Sequence, residues 1–327
     1  MKSKTKYILN KEQINMIFDK ANLGQVERYY PLGAGEFNSV YCINIKDTEY
    51  VLKIAPRDDQ SVLTYEKDML AVEIKWYNRI SENTDIKVPR IYFSDFSREI
   101  IDAPYFIMEK LNGVQLDKIN YNNNSPTAKL AQMAAQIHKV KNDKYGYEQN
   151  SLHDNWYLAI RSMTENLIND AKSKGYKCRR GKRLLGYIDK LKSILEEAPC
   201  CMVNFDLWAP NVICEKMLDG SYNYAWIDPE RTFWGDYVAD FVALEFGKNF
   251  EDKKISIESY NLVADKPLVV TDQLKVRYYV AEAYLALIQE VEKYYRYTIF
   301  NFGWYRNVVS AKLIFDRAFK FLQSVQL

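Results

Sequence analysis

Residues 201–241 read CMVNFDLWAPNVICEKMLDGSYNYAWIDPERTFWGDYVADF. Asp206 and Asn211 stand in one loop, separated by LWAP, and Val212-Ile213-Cys214 then begins a strand. Leu218-Asp219-Gly220-Ser221 is a turn signal, because Asp-Gly accepts positive φ cheaply. A second strand, 222–227, returns the chain and ends at Asp228. The hairpin therefore brings Asp228 back beside Asn211 and, one short loop away, Asp206. Two carboxylates and a carboxamide converging on one point are hard oxygen ligands, suited to Mg²⁺ together with phosphate. The same residue types also build ordinary turns and caps, so the rest of the chain has to decide between the two readings.

With 327 residues the chain is long enough for two lobes of ordinary domain size. Lys+Arg 45 against Asp+Glu 43 leaves +2, a balance that offers no electrostatic footprint for nucleic acid or a membrane surface. No apolar run reaches the length of a membrane span, and MKSKTKYILNKEQ has no apolar signal-peptide core. Five scattered Cys without Cys-x-x-Cys spacing suit a reducing compartment. The expectation is a cytoplasmic protein, monomer or dimer, with no nucleic-acid or membrane partner.

Upstream, Asn10 caps a short helix carrying Ile14, Ile17 and Phe18. Residues 26–32, 40–45 and 49–55 read as strands, and the first two are joined by Gly33-Ala34-Gly35-Glu36-Phe37-Asn38-Ser39. Glycines let backbone N–H groups approach a phosphate closely, although no Gly-Lys-Ser/Thr follows to make a Walker A loop. Lys53 lies in an apolar strand, where a buried ammonium is costly unless it meets an anion. A helix expected over 61–80 places Glu73 inside its own apolar stripe of Met69, Trp76 and Ile80. Two such anomalies on adjacent elements are best explained as one ion pair. Strands at 91–93 and 104–109 complete a small sheet-rich lobe over residues 1–109, and 109–113 reads as a hinge.

From 110 to 327 helices dominate, at 125–138, 155–173, 182–197, 237–246, 252–262, 271–294 and 305–323. The only histidines, His138 and His153, support neither a nucleophilic triad nor a zinc site, and His138 reads as a helix-packing residue.

Glycine hairpin, strand lysine, helix glutamate, hinge, Asp-x4-Asn loop, hairpin and Ile-Asp follow one another in an order that resembles the protein-kinase-like fold. The closest likeness is to its aminoglycoside phosphotransferase and choline kinase branch. The residues that carry it are Gly33 to Asn38, Val51-Leu52-Lys53, Glu73, 105–109, 204–211, 227–230, Gly235-Asp236 and Asp240, so it spans nearly the whole chain. It implies an α+β, bilobal fold, with a small five-stranded antiparallel-sheet N-lobe and a larger, mostly helical C-lobe. Asp206 is then the catalytic aspartate that orients or deprotonates the attacking hydroxyl, and Asn211 and Asp228 hold Mg²⁺ on the nucleotide. Lys53, fixed by Glu73, meets the α/β-phosphates. Gly33, Gly35 and Ser39 cover the triphosphate. Met108 guards the adenine pocket, and the backbone at Glu109 and Leu111 bonds the base. Asp240 braces the catalytic loop.

The chain departs from the family at Asn204-Phe205-Asp206, where His-Gly-Asp is usual, and at Gly235-Asp236-Tyr237, where Gly-Asp-Pro is usual. The resemblance implies an ATP- (or GTP-) dependent O-phosphotransferase acting on a small-molecule hydroxyl, most of all on an aminoglycoside-type antibiotic. A polycationic acceptor calls for an acidic cleft, with Glu230, Asp236, Glu282, Glu290 and Glu292 as candidates. A choline, ethanolamine or sugar kinase is the alternative enzyme, with aromatics between Tyr294 and Tyr305 available to cage an ammonium. The altered catalytic loop also raises a nucleotide-binding pseudokinase.

Overall fold

The computed structural model describes residues 7–32, 37–57, 61–119 and 125–325. Helix α1 (Lys11–Lys20) opens with a capping box in which Asn10 and Gln13 satisfy each other's backbone N–H groups. Strands β1 (Arg28–Pro31), β2 (Ser39–Ile45), β3 (Thr48–Ile54), β4 (Ile91–Asp95) and β5 (Tyr105–Glu109) form one sheet in the order β1-β2-β3-β5-β4. Every pairing in it is antiparallel. Alternation along the strands sorts the sheet into two faces. Leu52, Ile54, Tyr105 and Ile107 pack with Ile14, Ile17 and Phe18 of α1 on one face. On the other, Val51, Phe106 and Met108 pack with Leu70 and Tyr77. Burying the three α1 side chains contributes roughly 2 kcal/mol each, which anchors the outer face and leaves the inner one for the cleft.

Helix α2 (Met69–Asn83) begins later than the pattern suggested. Residues 64–66 form a 3-10 turn, and Asp68 takes a left-handed conformation (φ 55°) that a continuous α-helix cannot contain. The apolar spacing is read correctly, but its first turn belongs to a separate segment.

Past the sheet, Gly113 sits at φ +110° with its α-carbon against β8 (Val212–Lys216), so close that a Cβ would lie 2.2 Å from the Cys214 carbonyl oxygen. Only glycine fits there. The crossing is completed by β6 (Val114–Gln115), which pairs with β8, itself paired with β9 (Tyr222–Trp226). Helices α3 (Ser125–Ile137), α4 (Trp156–Ser173), α5 (Arg179–Lys190), α6 (Lys192–Glu196), α7 (Lys254–Asn261), α8 (Asp272–Arg296) and α9 (Phe302–Ser324) make up most of the second part. The expected 182–197 helix is two helices, broken at Leu191, and 237–242 is 3-10 rather than α. Strands β7 (Cys201–Val203) and β10 (Phe233–Gly235) pair on either side of the hairpin. Helix α8 is buried over most of its circumference and forms the spine of this part. All five cysteines are free and buried. Among the described residues no helix is long and apolar enough to cross a membrane.

Candidate active site

Lys53 on β3 is almost fully buried, and its Nζ lies 2.8 Å from Glu73 Oε1, 2.7 Å from Asp228 Oδ1 and 3.3 Å from Glu230 Oε2. The paired anomalies in the sequence are thus one ion pair, joined by two further carboxylates from the 228–231 stretch. Burial works against the ammonium, but Asp228, Glu73 and Glu230 outweigh it and hold Lys53 well above its ordinary pKa. Burial also pushes Glu73 up, against the pull of Lys53. A lysine shared by three carboxylates is a cation presented to the cleft, not one snorkelling to water.

The β8–β9 hairpin sets the next two groups. Val212 pairs with Trp226, and the Ile227 N–H donates to the Asn211 carbonyl (2.9 Å), so Asn211 and Asp228 leave the hairpin side by side. Asp228 sits at φ 56°, ψ 56°, and its N–H donates to the Tyr77 hydroxyl (3.0 Å). Asn211 Nδ2 donates to the Asp206 carbonyl and carboxylate (3.1 and 3.2 Å), which leaves its Oδ1 as the acceptor facing other partners. Among the described residues no three His, Cys, Asp or Glu side chains form a metal cage by themselves. One carboxylate and one amide oxygen fit Mg²⁺, which takes few protein ligands and completes its shell with phosphate and water.

Asp206 is recessed, and burial drives its carboxyl up to about 7, with Arg231 opposing the rise and Glu230 and Asp228 adding to it. The loop that presents it is held from below. Asp240, fully buried, accepts from the N–H groups of Asn204 (3.1 Å) and Phe205 (2.5 Å) and lies 2.8 Å from His138 Nε2. His138 Nδ1 in turn meets the Tyr260 hydroxyl (3.0 Å). His138 is therefore a packing residue with a polar task, orienting the brace. Asn204 Oδ1 accepts from the Asp206 N–H (2.9 Å), an Asx turn that fixes the residue after next. Phe205 takes the left-handed region (φ 61°), with its ring buried beside Phe233 and Tyr284.

The remaining expected residues fall into distinct places. Met108 lines the inner sheet face, Leu111 is buried, and the Glu109 N–H donates to the Arg90 carbonyl (2.8 Å). Ser39 Oγ accepts from the Tyr7 N–H (2.5 Å). Gly33 and Gly35 lie outside the described residues. Glu230 lines the cleft, where it accepts from Asn38 Nδ2 (2.9 Å). Asp236 does not line it. It is fully buried, caps the 3-10 turn at the Val238 N–H and faces Arg277 at 3.4 Å. Glu282 and Glu290 are likewise enclosed, with Arg317 and with Tyr176 respectively. Of the late-helix carboxylates only Glu292 reaches the cleft. The aromatic set near the C-terminus already surrounds a cation, Lys293, at 5.0 Å from Tyr294 and 5.3 Å from Trp304.

Arg231, Arg296, Tyr65 and Glu66 also line this cleft and were not singled out by the sequence. Arg231 adjoins the metal-ligand stretch, which was its available signal. Arg296, in the last turn of α8, reads as an ordinary helix-terminal cation.

Compared with known proteins, the model of the phosphotransferase enzyme family matches residues 29–250. No curated protein sequence matches the chain. Among solved structures, a protein assigned as a fructosamine-3-kinase from Haemophilus somnus 129PT is 21% identical, with 94% of this chain and 97% of that one aligned at a TM-score of 0.63. The microcompartment-associated aminopropanol kinase is 14% identical over 95% and 98% of the two chains, with a TM-score of 0.62. A thermostable mutant of aminoglycoside phosphotransferase APH(4)-Ia, in ternary complex with AMP-PNP and hygromycin B, is 14% identical over 94% and 97%, with a TM-score of 0.60. At these identities the likeness is one of fold, and the fold is protein-kinase-like: a small antiparallel-sheet lobe on a mostly helical one.

Proposed function

This chain belongs to the phosphotransferase enzyme family, and from that premise we propose that it moves the γ-phosphoryl group of ATP, or of GTP, to a hydroxyl of a small molecule. The observation that carries the reading is the convergence of Lys53, Glu73 and Asp228 within 2.8 Å contacts, with Asn211 bonded to Asp206 one loop away. Phosphoryl transfer asks for positioning and charge neutralisation more than covalent chemistry, and this set is suited to both. Lys53, kept charged by its carboxylates, meets the α/β-phosphates. Asp206 orients the acceptor hydroxyl and takes its proton. Asn211 and Asp228 would hold Mg²⁺, which neutralises phosphate oxygens when bound. The family resemblance assigns the turn from Gly33 and Gly35 to Ser39, the first residue of β2, to the cover of the triphosphate, and Met108, Glu109 and Leu111 to the adenine pocket. The family resemblance implies an aminoglycoside acceptor, with choline, ethanolamine and sugars as the alternative class.

A coupled assay of nucleotide turnover with Mg²⁺, run against aminoglycosides, choline and sugars, tests this. Turnover stimulated by one acceptor class and lost in Asp206→Asn is the expected result. Nucleotide binding with no acceptor-dependent turnover in either protein would replace the enzyme with a pseudokinase.

A further inference from the structure

The cleft lined by Lys53 and Asp228 carries more hydrogen-bond donors than the protein satisfies. Two guanidinium groups converge on a single carboxylate oxygen, with Arg231 Nη2 3.4 Å and Arg296 Nε 3.5 Å from Glu292 Oε1. Arg296 also pairs with Glu66, yet its Nη1 is buried without a hydrogen-bond partner among the described residues. The hydroxyl of Tyr65, a residue only 4% exposed, is in the same condition. Tyr65, Arg231 and Arg296 line one cleft with Lys53 and Asp228. Buried donors left unpaired are expensive, and native proteins keep them where a ligand completes them.

Resting on the phosphotransferase reading above, we infer that the acceptor carries an oxyanion, a carboxylate or a phosphate, held by Arg231, Arg296 and the Tyr65 hydroxyl. Paired guanidinium forks match the planar, multidentate geometry of such groups. The four carboxylates that line the cleft, Glu66, Asp228, Glu230 and Glu292, are each already paired with Lys53, Arg231 or Arg296, so none stands unpaired for a polycation. Burial raises Glu66 to about 7 against the pull of Arg296.

The test is calorimetric titration of the full chain, with and without AMP-PNP and Mg²⁺, using a matched set. Glucose is neutral, glucosamine cationic, gluconate a carboxylate and glucose 6-phosphate a phosphate, with hygromycin B as the polycation. At least one anion is expected to bind about tenfold or more tighter than glucose, the scale of a charge-assisted contact, and whichever anion wins identifies the source. Tyr65→Phe removes one oxygen and is expected to reduce that preference several-fold. The double variant Glu66→Gln/Arg296→Met, which leaves no lone buried charge, is expected to abolish it. Anions binding no better than glucose, tighter binding of glucosamine or hygromycin B, or a preference untouched in both variants overturns the inference. Failure of AMP-PNP to bind would instead strike the phosphotransferase reading, and the nucleotide-free titrations keep the two apart.

Discussion

Asp206 is the residue on which the chemistry turns, and its environment makes a directional claim. Its carboxyl, raised to about 7 mainly by burial, is pulled down by Arg231. In the nucleotide-free chain a carbon-13 titration of this carboxyl should give a midpoint near 7, and Arg231→Gln should move it upward. A base acts only when deprotonated, so acceptor-dependent turnover should rise with pH, with a midpoint that bound Mg²⁺ moves below that of the nucleotide-free chain. A carbon-13 midpoint near the ordinary 3.8 would refute the claim. Asp206→Asn keeps the shape of the side chain but not its basicity, and should lower turnover about 10²–10⁴-fold, the usual worth of general-base catalysis. Its neighbour Phe205 explains how the chain departs from the family at this loop. The left-handed backbone (φ 61°) suits glycine, and a phenylalanine there costs about 1–2 kcal/mol. The buried ring contributes more, on the order of 3–5 kcal/mol. Phe205→Gly should therefore relax the backbone and still destabilise the protein by about 3 kcal/mol in denaturant unfolding. A stabilised variant would show the strain to be the larger effect.

Between residue and lobe, the elements show what was legible in the sequence. Strand periods gave the five-stranded sheet, and the misplaced charges of Lys53 and Glu73 gave their pairing, because burial of unpaired charge is too costly to escape notice. The hairpin from Asn211 to Asp228 was readable from Asp-Gly and register alone. Local backbone exceptions were not readable. The left-handed Asp68 delays α2, and Leu191 splits α5 from α6, though neither residue type announces such a break. Asp236 misled because a loop carboxylate reads as exposed, whereas here it is sealed against Arg277. Glu292 and Arg296 are an i, i+4 pair within α8 and could have been read as one, but Arg231 joins them only through tertiary packing, which no local pattern encodes. The brace beneath the catalytic loop was half visible, as Asp240 without its partner His138. That brace is open to measurement. Asp240→Ala strips the acceptor from two N–H groups and His138, all buried, and at about 1 kcal/mol or more each should cost at least ~3 kcal/mol. Turnover should fall about 10²-fold even in the folded fraction, because a catalytic group misplaced by about an ångström loses that much. Full turnover per folded molecule would relieve Asp240 of that task.

At the scale of the whole molecule, the five-stranded sheet and the helical part are joined at more than residues 109–113. Gly113 pins the linker against β8, and the 61–68 segment reaches across to the helical part. Thr64 donates to Asp170 from its N–H (2.9 Å) and its hydroxyl (2.6 Å), Gln149 and Asn150 donate to the carbonyls of Tyr65 and Thr64, and Arg296 holds Glu66. This strap walls the proposed acceptor subsite, whereas the expected adenine contacts at 108–111 lie at the end of β5 and just past it. A motion that opens the cleft must therefore turn about two anchors, and loosening the strap should affect the acceptor before the nucleotide. Asp170→Ala removes two hydrogen bonds to a charged group, worth roughly 1.5–3 kcal/mol together once relaxation is allowed. If that free energy holds the wall in place, the acceptor KM should rise about tenfold or more, nucleotide affinity should stay within about threefold, and amide exchange should quicken across 61–68. Equal losses for both ligands would mean that the strap positions the whole N-lobe. Unchanged exchange in 61–68 would mean that the remaining contacts to Gln149, Asn150 and Arg296 suffice to hold it, and the acceptor effect should then vanish as well.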